Sequence, residues 1–494
     1  MKKKINNYFI INFSILIIFT IITRFSVFSH LYKKNLIEKI PYEYLNYNFL
    51  DFLLFNHTLP NGYFILKKIL IIFNFHNFGI ELNFYIINVI YSIFFLYFLW
   101  DILKYQIKYI YIYPLLIVLS VALIPYESWR PGHHDHINLF IFAYIFWSIF
   151  YFLKSGYKFN HLFFSLILLN LFYSLGFIYT FFIIFLLFRL KHKNFIIFDL
   201  KSNLKIIFLF LLILSIFSKN FINASSFSST SMGGANLIQR SIHAIGEEKF
   251  TEMVKNNKLI FPKWWQLVTN EILKENKNIE NVDFKISKLA HGNIKNETKE
   301  NFLLQKNIIK SNSAENLEIN KIIEKDLINF ENKFWRYNFG YGFTLISIKY
   351  QSLGSKIFLK SCTLYPYEMI IGKLGNKGFV LTAIKMISYG GLFPMYYENE
   401  KVYWNILISK LHTILRILIL IILSLTPYFI IKKSNYKKTD TNQLFYLLIV
   451  TFLFFSILLT SIITCCENPR IMVMHFFIII LITIYNINWL KKSD

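Results

Sequence analysis

Apolar residues in this chain come in long unbroken blocks rather than in alternating patterns. The blocks cover residues 8–29, 84–103, 110–124, 137–153, 161–190, 204–218, 411–431, 444–463 and 471–490. Blocks of this length predict membrane-crossing helices, because only a helix satisfies its own backbone inside a bilayer. The block 161–190 has 30 residues, and a single helix there would put Arg189, Lys191 and Lys193 on the wrong side of the lysine pattern. A break near Tyr173-Ser174-Leu175-Gly176 resolves this and gives two shorter helices. The run 63–75 contains Lys67 and Lys68 and is short for a crossing, so it is expected to lie in the interface.

The polar stretches between the blocks set the orientation. Lysines gather at 104–108, 154–158, 191–205 and 432–438 and at both termini, which predicts that these lie in the cytoplasm. The expected fold is therefore an all-α polytopic membrane protein of about ten transmembrane helices, in an inner (cell) membrane. An outside (periplasmic) domain is inserted before the last three helices. Three regions follow: residues 1–219 with seven helices and the outer loops, residues 220–408 as the outside domain, and residues 409–494 with three helices. Lys356–Leu374, amphipathic and interrupted by Pro366, is expected to rest on the membrane surface. So is Phe261-Pro-Lys-Trp-Trp265, whose aromatic residues adjoin a lysine.

Composition agrees with this picture. Of 494 residues, 55% are hydrophobic and only 16% charged, with mean hydropathy +0.44; a soluble domain carries nearer a quarter charged residues. The net charge of +25 is placed as topology requires, and it is not read as a sign of nucleic acid. Three cysteines, Cys362, Cys465 and Cys466, make neither a disulfide framework nor a zinc pattern. The residues 247–331 hold 14 of the 28 acidic residues, which marks the outside domain as a different kind of sequence.

The densest chemistry lies in Pro125-Tyr-Glu-Ser-Trp-Arg-Pro-Gly-His-His-Asp-His136, expected as an outer loop. Glu127, Arg130, His133, Asp135 and His136 exceed what a turn needs. Pro131-Gly132 alone would make a plain turn. The first outer segment adds Glu43, Asp51 and His57, and the last outer turn adds Arg470. Carboxylates there suit a general base, and Arg470 with Lys219 suits a phosphate. The residues alone leave plainer roles open. Glu43 and Asp51 also fit solvated acids, Lys219 a snorkelling lysine, and Ser229, Ser231 and Asn236 the cap of a helix starting near Ala235. His133, Asp135 and His136 are candidates for a divalent metal, although adjacent histidines need ligands from elsewhere to close a site. No other cofactor is implied, and no nucleotide loop is present.

Short motifs resemble the GT-C superfamily of membrane glycosyltransferases, nearest to members similar to protein mannosyltransferases. They are Tyr42-Glu43-Tyr44, Asp51, His57-Thr-Leu-Pro60, Tyr126-Glu127, Lys219-Asn220, Ser228-Ser-Thr-Ser-Met-Gly-Gly-Ala-Asn-Leu237 and Glu467-Asn-Pro-Arg470. Leu59, Asn61, Met232 and Ala235 depart from the usual pattern, and residues 247–338 have no counterpart. The resemblance implies transfer of a sugar from a polyprenyl-phosphate donor to a glycan, lipid or protein acceptor on the outer side. It implies Glu43 or Asp51 as the base, with His57, Glu127, Lys219, Ser231, Asn236 and Arg470 at the substrates; Arg130, His133 and Asp135 are added as substrate-binding candidates from the charged cluster itself, since the resemblance does not match His133-His-Asp-His136. Three other functions fit parts of the sequence. These are a ligase or polymerase of lipid-linked polysaccharide, a transporter or flippase, and a non-catalytic envelope assembly protein.

Overall fold

The computed structural model describes residues 11–25, 61–72, 79–129, 134–155, 159–192, 200–224, 233–256, 345–372, 378–388, 403–434, 441–463 and 475–490. Helices dominate these residues, and no strand occurs among them. The apolar blocks form α1 (Ile11–Phe25), α3 (Gly79–Leu103), α4 (Tyr109–Trp129), α5 (His134–Ser155), α6 (Phe159–Phe172), α7 (Gly176–His192) and α8 (Leu200–Ala224). Between α1 and α3 lies α2 (Asn61–Ile72). After α8 come α9 (Gly233–Ile245), α10 (Glu247–Asn256), α11 (Leu345–Leu364), α12 (Pro366–Ile370) and α13 (Phe379–Ser388). The closing helices are α14 (Tyr403–Ser424), α15 (Thr426–Ser434), α16 (Thr441–Ile463) and α17 (Phe476–Leu490).

Five stretches are long and apolar enough to cross a membrane: Ile86–Leu103, Ile137–Lys154, Lys201–Ile222, Thr413–Ile431 and Thr441–Ile462. Shorter apolar helices occupy the other blocks expected from the sequence, at Ile11–Phe25, Ile110–Leu123, Phe159–Phe172, Gly176–Arg189 and Phe476–Leu490. The described residues are thus all-helical in class, built on apolar helices of membrane type. The break between α6 and α7 falls at Tyr173–Leu175, where charge placement asks for it. Twelve residues in α2 span about 18 Å, too little for the hydrocarbon core of roughly 30 Å.

Two boundaries differ from expectation. Helix α4 does not stop at Ile124 but runs through Pro125 to Trp129, and α5 starts at His134. Membrane-type helices tolerate proline because neighbouring groups satisfy the freed carbonyl. The acid Asp135, in the first turn of α5, also suits the positive end of the helix. Of the expected loop 125–136, residues 125–129 and 134–136 are therefore helical, and 130–133 lie outside the described residues. The block 411–431 is divided at Leu425 into α14 and α15, because Pro427 has no N–H to give the carbonyl four residues back and suits the first turn of a new helix.

Helix α5 is the hub, packed against α3, α6, α16 and α17. The apolar stretch of α5 is 72% buried, whereas those of α8 and α14–α15 are 22% and 11% buried. The latter two therefore turn most of their apolar side chains outward, as lipid-facing helices do. Aromatic pairs lock α3 to α5: Phe98 lies 5.4 Å from Tyr144 and 5.1 Å from Trp147, centroid to centroid. Such contacts add to the area buried.

One end of the bundle is tied together by polar groups beside lysines. Buried Asp101 pairs with Lys104 and accepts a hydrogen bond from Trp147 Nε1 at 2.8 Å. The Lys154 ammonium sits 3.2 Å over the Tyr105 ring. Lys205 bonds Asn160, and Gln106 Nε2 reaches Tyr485 at 2.9 Å and Asn442 at 3.0 Å. Lys104, Lys154 and Lys205 thus belong to one end, as the topology inferred from the sequence requires of them.

Candidate functional site

The segments carrying the candidate residues are rooted at the opposite end. Lys219 is on the last turns of α8, where Phe217 meets Phe177 of α7 at 4.9 Å. Glu127 is on the last turn of α4, Asp135 and His136 are on the first turn of α5, and Asn236 is on the first turn of α9. Glu43, Asp51, His57, Arg130, His133, Ser231 and Arg470 lie outside the described residues. Among the described residues no three His, Cys, Asp or Glu side chains form a metal cluster.

Contacts between helix ends show which roots meet. The helix α2, which directly follows His57-Thr-Leu-Pro60, docks on the end of α6. A Cβ on Gly62 would meet Leu171 O at 2.6 Å and the Phe172 ring at 2.8 Å. Only glycine allows this approach. Helix α5, which follows residues 130–133, packs on α17, which follows Arg470. The Phe142 ring of α5 lies 5.3 Å from the ring of His475, the residue just before α17. The described helix ends that border residues 26–60, 130–133 and 464–474 therefore lie at the same end of the bundle.

Beneath these roots lies a buried polar cluster. His475 hydrogen-bonds Ser456, whose Oγ is 2.7 Å from the Tyr179 hydroxyl. The Tyr173 ring stacks on Tyr179 at 5.7 Å, and Thr460 Oγ1 donates to Ser456 O at 2.6 Å. Asn170 donates to Thr180 Oγ1 at 2.7 Å and to Leu166 O at 2.8 Å. Asn138, one turn before Phe142, is fully buried, and neither amide atom meets a hydrogen-bond partner. Buried polar side chains are normally paired, so Asn138 marks a locally unsatisfied site two residues after His136.

A second polar contact joins α1 to α4. Arg24 is 2% exposed. Its Nη1 donates to Ser120 Oγ and its Nη2 to Ser120 O, both at 2.7 Å. Thr20 Oγ1 is 3.2 Å from Ser120 Oγ. Sequence inspection misses Arg24, His475 and Asn138 because each lies in or beside an apolar block; an ionisable residue inside such a block is itself the signal.

The helices between α8 and α14 form a separate layer. Arg240, fully buried on α9, donates to Thr382 Oγ1 at 2.9 Å and stacks 5.1 Å from the Phe379 ring of α13. Lys249 of α10 pairs with Glu368 of α12, and this hydrogen bond holds the ammonium above the usual lysine range. Both α9 and α13 lie against α16. Leu359, Tyr367, Ile370, Val380 and Ile384 stay exposed on this layer.

No protein-family model, curated protein or solved structure matches the chain.

Proposed function

We propose that the chain is a multi-pass glycosyltransferase of the inner membrane. It would transfer a sugar from a polyprenyl-phosphate donor to a glycan, lipid or protein acceptor on the outer side. The observation that carries this is the shared end of the bundle: the roots of the acid-bearing and arginine-bearing segments meet away from Lys104, Lys154 and Lys205. With the lysines cytoplasmic, ten crossings result and both termini lie inside. The exposed apolar side chains of α11–α13 then suit a layer resting on the outer membrane surface.

The reaction proceeds in one inverting step. Glu43 or Asp51 takes the proton of an acceptor hydroxyl as its oxygen bonds the anomeric carbon. The bond from that carbon to the phosphate oxygen breaks, and polyprenyl phosphate leaves with the electron pair. Arg470 and Lys219 meet the charge that gathers on the leaving phosphate. The arginine fork binds it through two parallel hydrogen bonds, the lysine as a point charge. Glu127 and Asn236 would contact the substrates in this reading.

The test is donor dependence of sugar transfer in membranes carrying single variants. Arg470→Ala is expected to weaken use of the polyprenyl-phosphate donor by about 2–3 kcal/mol, the loss of a charge-assisted contact. Lys219→Ala is expected to act in the same direction. Unchanged donor dependence in both variants rejects the lipid-phosphate role.

A further inference from the structure

We infer that the hairpin α12–α13 is inserted into the outer leaflet of the membrane, where Lys356 and Lys360 of α11 hold the phosphates of anionic phospholipids beside it, an inference that rests on the membrane placement of this layer proposed above but not on glycosyl transfer. The layer has the reverse polarity of a soluble one. Arg240, Ser361 and Thr382 are fully buried, while Tyr367, Val380, Leu381, Ile384 and Ile387 are exposed. On α13 the reversal follows the helix. Phe379 and Thr382 turn toward Arg240. The four exposed aliphatic residues fall within an arc of about 120° on the other side. The chain closes tightly between α12 and α13. Gly372 has φ 88°, a conformation that favours glycine, and a Cβ on Gly378 would meet the backbone of Ile371 and Gly372. This brings the exposed Ile370 and Ile371 to the start of α13.

The neighbours of α13 say what covers the patch. Helix α13 packs beside α16 and α14, and both carry stretches apolar and long enough to cross a membrane. Ile384 of α13 is as exposed as Ile414 of α14, both at 57%. The patch thus continues the surface that α14 turns to lipid. Ten residues span about 15 Å, too little to cross the hydrocarbon core, so α13 lies within one leaflet. Charge selects the headgroup. Lys356 and Lys360 are one turn apart on α11, and no acidic side chain among the described residues pairs with either. Glu368 of α12 is already paired with Lys249, so it repels an anionic lipid little. Phe358 of α11 lies 5.9 Å from Phe379 of α13, centroid to centroid, which keeps the lysines beside the hairpin. Each ammonium can hold a lipid phosphate as a point charge.

The test uses the full chain in nanodiscs that contain phosphatidylglycerol and phosphatidylcholine. Spin labels are placed singly on Val380→Cys and Ile384→Cys, in a background with Cys362→Ser, Cys465→Ser and Cys466→Ser. Ile417→Cys on α14 is the lipid standard and Glu252→Cys on α10 the water standard. Both α13 labels are expected to be open to oxygen and closed to a water-soluble nickel complex, as at Ile417→Cys. Nickel access like that of Glu252→Cys would put the patch in water. Protection from both reagents would put protein over it, such as a second copy of the chain. Either result overturns insertion. Nickel access at Ile417→Cys as well would remove the lipid-facing role of α14 and the inference with it, while sugar transfer is decided by its own assay. The headgroup is tested on the parental chain, which needs no cysteine change, with photoactivatable forms of the two lipids. Adducts on residues 345–388 should favour phosphatidylglycerol. Lys356→Gln and Lys360→Gln should each lower that preference roughly 5-fold. An unchanged preference overturns the role of the lysines, and no adduct from either lipid overturns insertion.

Discussion

Helix α2 docks on α6, and Gly62 controls that docking. Replacing Gly62 with alanine adds one methyl group. That atom would lie 2.6 Å from Leu171 O and 2.8 Å from two carbons of the Phe172 ring. The ring can move, but the carbonyl belongs to the backbone of α6 and cannot. Overpacking of this kind costs about 1–3 kcal/mol. Helix α2 is held by α6 and α3 alone among the larger contacts, so the cost falls on its docking and not on the whole bundle. Opening of α2 should become easier by the same amount, which speeds amide exchange in 61–72 roughly 5- to 150-fold. Exchange in α5 and α16 should hardly change. Hydrogen exchange followed by mass spectrometry of the protein in detergent measures both. Parental protection of residues 61–72 in Gly62→Ala would refute the close approach, and with it the docking of α2 on α6.

Two further outcomes concern the two ends of the bundle. Fused topology reporters at Asp135 and Glu300 should report the outside and one at Asn435 the cytoplasm; a cytoplasmic Asp135 would invert the frame and remove the shared outer face. Asp101→Ala should lower stability by about 1–3 kcal/mol, because it leaves the buried Trp147 N–H without its acceptor and Lys104 without its ion pair. Asp101→Asn, which keeps an acceptor, should cost less, and equal melting temperatures for parent and Asp101→Ala would show that the pair contributes nothing.

What was legible in the sequence follows the physics of each feature. Membrane-type helices are written in long apolar blocks, so all nine blocks could be located, and the α6–α7 break followed from where Arg189 and Lys191 would otherwise fall. Helix ends were less legible. The apolar pattern stops at Ile124, but the backbone of α4 continues through Pro125 because hydrogen bonding, not hydropathy, sets its end. Pro427 carried a break that the apolar block concealed. Within the candidate site, Glu127 and Asp135 drew attention because charges crowd a short stretch. Arg24 did not, since one charge barely lowers the hydropathy of the block 8–29. The close approach of Gly62 to Leu171 and of Phe142 to His475 joins residues more than a hundred positions apart. No local pattern encodes such contacts.

The central claim is sugar transfer from a lipid phosphate with a first-segment carboxylate as base. Its most direct measurement is release of polyprenyl phosphate from a labelled polyprenyl-phosphate sugar, in membranes carrying parent, Glu43→Gln or Asp51→Asn at matched protein level. An amide has the shape of the carboxylate but cannot take the acceptor's proton. One of the two variants is therefore expected to lose roughly 10²–10⁴-fold in turnover. Release at the parental rate by both variants, or none by the parent, contradicts the claim.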